Sequence, residues 1–177
     1  KQKTAYEIRP RDWSSDVCSS DLRDLVAGLA GMRGGARTRL LVNSRADVAV
    51  AAGADGVHLP LPALPLAALR SRLTELQIVG VSCHNEQEVD EAAAAGVDYL
   101  LVGPVFATPS KPGAEPLGVD RFRSICARSS VPVIALGGVS RLNAAECIAA
   151  GARGVAGIRL FQAAADVREL VAWIREL

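Results

Sequence analysis

The stretch of the chain with the clearest chemical potential is Phe106-Ala107-Thr108-Pro109-Ser110-Lys111. Two hydroxyls one residue apart, followed by an amine, can wrap a diphosphate: the hydroxyls donate to its oxygens and the ammonium neutralises its charge. An ordinary polar loop is the plainer alternative. The length of the surrounding segment, from Gly103 to Gly118, favours function, because long loops in compact domains usually carry it. A second anion-binding pattern is Gly137-Gly138-Val139-Ser140, which joins an apolar run to a helical one. Glycine lets the backbone approach a ligand closely, and a helix start offers N–H groups at its positive dipole end, so a phosphate fits there. A tight turn that needs glycine for geometry alone is the competing reading. Gly157-Ile158-Arg159 would complete the same site, with Arg159 adding charge-assisted bonds; otherwise Arg159 is a surface arginine. His58 and His84 stand near the ends of apolar runs without a carboxylate at metal spacing, so they read as hydrogen-bonded histidines rather than zinc ligands. Cys83, beside Ser82, reads as structural, since nothing nearby would lower its pKa. Asp98 opens a strand, the wrong end for catalysis, and reads as a cap or ion-pair partner.

These residues are held by a regular alternation. Apolar runs over 40–42, 56–59, 78–81, 99–102, 131–136 and 154–158 read as strands. Helical spacing appears over 23–32, 46–52, 66–73, 86–95, 120–128, 140–150 and 167–177. Pro60, Pro62 and Pro65 make the loop after the second strand. Asn85 with Glu88 predicts a capped start for the fourth helix, and Ser140 predicts the cap of the sixth. Strands apolar on both faces mean a parallel sheet covered by helices. Two architectures compete, an open doubly wound sheet and a closed (β/α)8 TIM barrel. No GxGxxG follows the first strand. Polar and glycine residues (Asn43, Ser82, Thr108, Gly137, Gly138, Gly157) recur at strand ends, where a barrel builds its active site. The expectation is therefore an α/β (β/α)8 barrel with six of its eight units visible and the first two absent before residue 40.

The opening residues break this rhythm. The run from Ser14 to Leu22 repeats Ser-Ser-Asp and has neither helix nor strand period. The words DWSSDVCSSDL look like a translated sequencing-adapter scar, so 1–22 is read as a non-native or disordered segment and 23–177 as the domain. Six of eight units would leave open sheet edges, and the chain by itself is expected to be poorly folded or inactive.

Composition narrows the partners. With 177 residues, 50% hydrophobic and 22% charged, there is one domain's worth of core. Twenty basic against nineteen acidic residues leave a charge of +1, which gives neither nucleic acid nor an anionic membrane a field to bind. No apolar run approaches the ~20 residues of a bilayer span, and KQKTAYEIRPRDW lacks a secretory core. Four cysteines without CxxC read as reduced thiols in a cytoplasmic protein.

In order, the words LLVNSR, ADGVHLP, GVSCHNEQE, DYLLVGPVFATPSKPG, VPVIALGGVS and GVAGI are similar to the thiamine phosphate synthase / TenI family of (β/α)8 barrels. The likeness covers about residues 38–162. The synthase activity it implies is a transfer: hydroxymethylpyrimidine diphosphate is joined to a thiazole phosphate with release of pyrophosphate, assisted by Mg2+. The resemblance places Thr108, Ser110 and Lys111 at the diphosphate, Gly137 and Gly138 with Ile158 and Arg159 at the thiazole phosphate, Ser82 near the reacting groups and Asn43 facing the pyrimidine. Ser82 and Lys111 are the catalytic candidates. The chain departs from the pattern where an aspartate should follow Asn43 (here Ser44) and where Pro60-Leu61-Pro62-Ala63 replaces an acidic word, so both usual magnesium carboxylates are missing. The glutamine–arginine–lysine word of the second strand has no counterpart, and Arg159 replaces a small residue. His58-Leu59-Pro60 is closer to the TenI branch, which implies a thiazole tautomerase as an alternative; its histidine shuttle would fall at Pro104. His58 or His84 could stand in as general base. A non-catalytic barrel that binds thiazole phosphate or thiamine phosphate is the third reading. Small phosphorylated molecules are the expected partners in each.

Overall fold

A computed structural model describes residues 19–32, 38–60 and 78–177. They fall into two compact units, one of residues 19–32 with 38–57 and one of 58–60 with 78–177. The helix expected over 66–73, the Pro62 and Pro65 turns, and residues 1–18 lie outside the described residues.

The first unit contains α1 (Ser19–Met32), β1 (Leu41–Asn43), α2 (Ala46–Ala51) and the start of β2 (Gly56–Leu59). α1 begins four residues before the expected start at 23, so Ser19 to Leu22 are helical. Asp21 in its first turn complements the positive end of the helix dipole. Val26, Val42, Val48 and Ala49 are buried. Asp55 clamps the entry to β1 twice: its Oδ2 accepts from the Leu40 N–H (2.7 Å) and its own N–H donates to the Leu40 carbonyl (2.9 Å). Arg39 adds an ion pair to the same carboxylate at 3.1 Å.

In the second unit β2 ends with His58 and Leu59, followed by β3 (Ile78–Cys83), α3 (Glu86–Ala94), β4 (Tyr99–Val102), α4 (Gly118–Arg128), β5 (Val133–Leu136), α5 (Ala144–Ala149), β6 (Gly154–Ala156), α6 (Ile158–Gln162) and α7 (Val167–Glu176). The strands β2 to β6 lie side by side in chain order. The pairs β3–β4, β4–β5 and β5–β6 are parallel, in registers that set Gly80 beside Tyr99, Ser82 beside Leu101, Leu101 beside Ile134 and Ile134 beside Gly154. This is the right-ordered α/β alternation of a barrel wall and not a doubly wound sheet, whose strand order reverses at a switch point.

Alternation along the strands sorts the side chains onto two faces. Val79, Val81, Cys83, Leu100, Val102, Val133 and Ala135 are buried. They mark the helix-covered face: the Cys83 thiol reaches the Glu88 carbonyl of α3 at 3.5 Å. Phe122 and Ile125 of α4, Val89 of α3 and Leu170 of α7 complete this core. The other face carries His58, Ser82, Tyr99 and Leu101, which are only partly covered. Asp98 repeats the Asp55 clamp, accepting from the Val79 N–H at 2.7 Å and donating its own N–H to the Val79 carbonyl at 2.8 Å, as its expected capping role requires.

Helix ends show where local chemistry was readable. Asn85 caps α3, its Oδ1 accepting from the Glu88 N–H (2.9 Å) while Glu88 Oε1 accepts from the Asn85 amide (2.9 Å). α5 corrects the expectation at Ser140. Residues 141–143 form a turn and the helix starts at Ala144, because Asn143 draws the chain back: its Oδ1 accepts from the Ser140 N–H (2.7 Å) and its amide donates to the Gly138 carbonyl (3.1 Å). The last strand ends at Ala156 rather than 158, and Ile158 opens the short helix α6. Among the described residues no helix is long and apolar enough to cross a membrane.

Candidate active site

The site forms where the β4–α4 loop leans on the β5–α5 turn. The loop first continues alongside β5: the Val105 N–H donates to the Leu136 carbonyl (2.9 Å) and the Phe106 N–H to the Gly137 carbonyl (3.0 Å). It returns through Leu117 N–H to the Pro104 carbonyl (2.8 Å) and Gly118 N–H to the Val105 carbonyl (3.0 Å). Glycine is required at the contact. Gly137 and Gly138 have φ of 91° and 66°. A Cβ on Gly137 would come within 2.6 Å of the Pro104 Cα, and one on Gly138 within 2.6 Å of the Ala107 carbonyl oxygen. The paired glycines are thus needed for the close approach of protein to protein, and the same turn lines the cleft beside it.

That cleft, about 720 Å3, is lined by Ser82, Thr108, Ser110, Lys111, Gly137, Gly138, Ile158 and Arg159 together with His84 and Arg141. Eight of the nine residues expected from the sequence therefore meet in one place, at one end of the strands. The ninth, Asn43, ends β1 in the first unit, where its side chain is exposed and its carbonyl accepts from the Arg45 N–H at 2.8 Å. Among the described residues, Lys111, Arg141 and Arg159 line the cleft and no Asp or Glu does, so its field favours an anion.

The cations are placed by specific partners. Lys111 Nζ donates to His84 Nε2 at 2.7 Å. An ammonium has no acceptor, so this ring nitrogen is unprotonated and the Nδ1–H of His84 donates to Glu88 Oε2 at 3.0 Å. Glu88 also accepts from the His84 backbone N–H at 2.6 Å, which fixes the residue on which Lys111 rests. Arg141 is pinned by Glu169 at 3.0 Å and lies over the Trp173 ring, 5.3 Å from its centroid. Thr108 Oγ1 accepts from the Ser110 N–H at 3.3 Å, which tightens the loop and leaves the threonine proton for a ligand.

On the partly covered face of the sheet, His58 joins two hydroxyls: Nδ1 is 3.0 Å from the Tyr99 phenol oxygen and Nε2 is 2.8 Å from Ser82 Oγ. Burial holds the His58 pKa below its ordinary value and raises that of Tyr99. Cys83 is pushed up to about 12 by burial, with the Glu88 charge adding to it, so it is a thiol and not a nucleophile, as the sequence implied.

The resemblance implied magnesium. Among the described residues no three His, Cys, Asp or Glu side chains cluster, and the cleft offers hydroxyls, N–H groups and cations, which suit an anion's oxygens rather than a hard cation. These residues do not fit a protein-held Mg2+. Sequence reasoning missed Arg141 and both histidine contacts. The histidines had been singled out near strand ends, but partners 24 and 27 residues away leave no local signal.

Comparison with known proteins bears on the family and the fold. The family model described as thiamine monophosphate synthase matches residues 5–161. The thiamine-phosphate synthase of Chloroflexus aurantiacus is 45% identical over 139 residues, 78% of this chain and 64% of that protein. That of Moorella thermoacetica is 36% identical over 175 residues, 98% of this chain and 81% of that protein. Among solved structures, thiamine phosphate pyrophosphorylase from Pyrococcus furiosus superposes with a TM-score of 0.80 at 30% identity, covering 92% of this chain and 78% of that one. With most of its length matched in sequence and in backbone, the chain belongs to the thiamine monophosphate synthase family, an α/β family of the TIM-barrel type.

Proposed function

We propose that this protein is a transferase of thiamine biosynthesis that couples hydroxymethylpyrimidine diphosphate to thiazole phosphate, and that the cleft holds both phosphorylated groups. The observation that carries this reading is the docking of Pro104–Ala107 against the Gly137-Gly138 turn, which puts the amine and two hydroxyls of the following Thr108–Lys111 arm and the glycine turn on one cleft that has no carboxylate among the described residues.

The reaction asks little of acid–base groups. The thiazole nitrogen uses its lone pair to form a bond to the pyrimidine methylene carbon. The carbon–oxygen bond to diphosphate breaks, and the electron pair leaves on pyrophosphate. What must be stabilised is the charge that builds on the leaving oxygens. Lys111 supplies an ammonium, and Thr108 and Ser110 supply hydroxyl donors. The turn at Gly137 and Gly138 with the N–H groups at the start of α6 receives the thiazole phosphate, and Arg159 adds a charged donor. Ser82, on the same lining, faces the reacting groups. The tautomerase alternative would place its proton shuttle at Pro104, whose ring carries no transferable proton.

The test is formation of thiamine phosphate and pyrophosphate from the two substrates, with magnesium present and absent. Product formation that falls with Lys111→Ala supports the reading. Binding of thiazole phosphate without turnover would select a non-catalytic binder, and isomerisation of a thiazole carboxylate phosphate would select the tautomerase.

A further inference from the structure

The hydrogen bonds of His58 determine more than its own position. We propose that Tyr99 and His58 are positioning residues that hold the Ser82 hydroxyl as a hydrogen-bond donor directed into the cleft.

Both ring nitrogens of His58 are engaged, Nδ1 with the Tyr99 hydroxyl and Nε2 with Ser82 Oγ. A neutral imidazole carries one N–H, so one nitrogen donates and the other accepts. Two polarities are open. In the first, the phenol donates to Nδ1 and the Nε2–H donates to the serine oxygen. In the second, the serine donates to Nε2 and the Nδ1–H donates to the phenol oxygen. A phenol, with an ordinary pKa of about 10, is a far better hydrogen-bond donor than an aliphatic hydroxyl, and its oxygen is the poorer acceptor. The first polarity wins on both bonds. It leaves the Ser82 oxygen accepting from histidine, so that the serine proton is turned to the cleft that Ser82 lines. Protonating both nitrogens would place a cation on a partly buried ring whose two hydrogen-bond partners are neutral hydroxyls, and burial opposes that. Neither nitrogen is left for a substrate proton, so His58 is not the stand-in general base that the tautomerase alternative would need.

The sequence encodes this column through one small residue. Gly80 is the register partner of Tyr99, and a Cβ there would run into the tyrosine ring. The ring therefore lies across β3 and stacks on His58, with centroids 5.7 Å apart and planes 28° from parallel. The consequence for turnover, a donor held against the developing charge of pyrophosphate, rests on the synthase reading; the polarity itself does not.

Long-range proton–nitrogen NMR correlation on the full nitrogen-labelled chain near neutral pH reads the tautomer directly, with the His58 signals assigned by their loss in His58→Gln. The expected result is a protonated Nε2 and an unprotonated Nδ1. A ring protonated at Nδ1, or at both nitrogens, overturns the proposal without recourse to any variant. Calorimetry with inorganic pyrophosphate supplies the second readout. Tyr99→Phe and His58→Ala should each weaken binding about fivefold, the equivalent of one ordinary hydrogen bond. His58→Gln, whose amide replaces the Nε2–H, should restore most of the affinity; equal affinity in all three variants and the parent chain overturns the proposal. If the tautomer is as expected and no thiamine phosphate is made, the synthase reading fails and the positioning of Ser82 stands.

Discussion

Lys111 is the residue on which the proposed chemistry leans most. It is an exposed amine steadied by an uncharged imidazole, and it can swing to an anion without breaking an ion pair. Lys111→Ala is expected to lower turnover about 100-fold or more while leaving the melting temperature unchanged, since loss of one preorganised donor to a developing anion costs roughly that much. Steady-state kinetics beside a thermal melt checks both halves. Cys83 should behave oppositely. With its thiol pushed up to about 12, it should stay unmodified by iodoacetamide at mildly alkaline pH in the folded protein and react on unfolding, as peptide mass mapping would show. At this scale the sequence was informative about residue type and silent about partners. Thr108, Ser110 and Lys111 announce themselves because they fall within four residues. His58 with Ser82 and His84 with Lys111 do not, because strand register and a returning loop bring them together.

At the scale of elements, the loop and the turn form one unit. Gly138→Ala would force a left-handed backbone on a residue with a side chain and press its Cβ into Ala107. It should cost about 1–3 kcal/mol in chemical denaturation and weaken pyrophosphate binding as the loop shifts. Asn143→Ala removes both tethers of the same turn, to Ser140 and to Gly138, and should cost about 1–3 kcal/mol. The strands were legible because a run apolar on both faces has few other destinations, and α3 because its cap is local. The start of α5 was not: Ser140 and Asn143 are both good caps, and what decided between them was a bond from Asn143 back to the Gly138 carbonyl. The helix α6 was hidden for another reason. Ile158 follows the strand without any polar interruption, so the change of backbone at Gly157 leaves no mark in hydrophobicity.

For the whole molecule, acid should act through the histidine under Tyr99. Its pKa is 6.5 in an unperturbed chain and lower in the folded one, because burial disfavours the charged ring. Below 6.5 the unfolded chain binds the extra proton and the folded chain resists it, so stability falls as pH drops from 6.5 toward the lowered folded value and is fully present above 6.5. Urea midpoints measured on either side of that pH should therefore diverge more for the parent chain than for His58→Gln. Family membership and strand order were readable from the sequence, since five or more words keep their order and spacing. The cationic character of the cleft was only half readable: Arg141 lies in a segment that resembles surface, and its place is fixed by α7 at the far end of the chain.

That last contact has a practical consequence. Trp173 lies under the guanidinium of Arg141, a residue that lines the cleft. An anion entering the cleft competes with Glu169 and the indole for that guanidinium, and the indole's polarity and quenching change with it. With Trp13 replaced by phenylalanine, emission from the remaining indole becomes an unlabelled optical titration of phosphate and pyrophosphate occupancy.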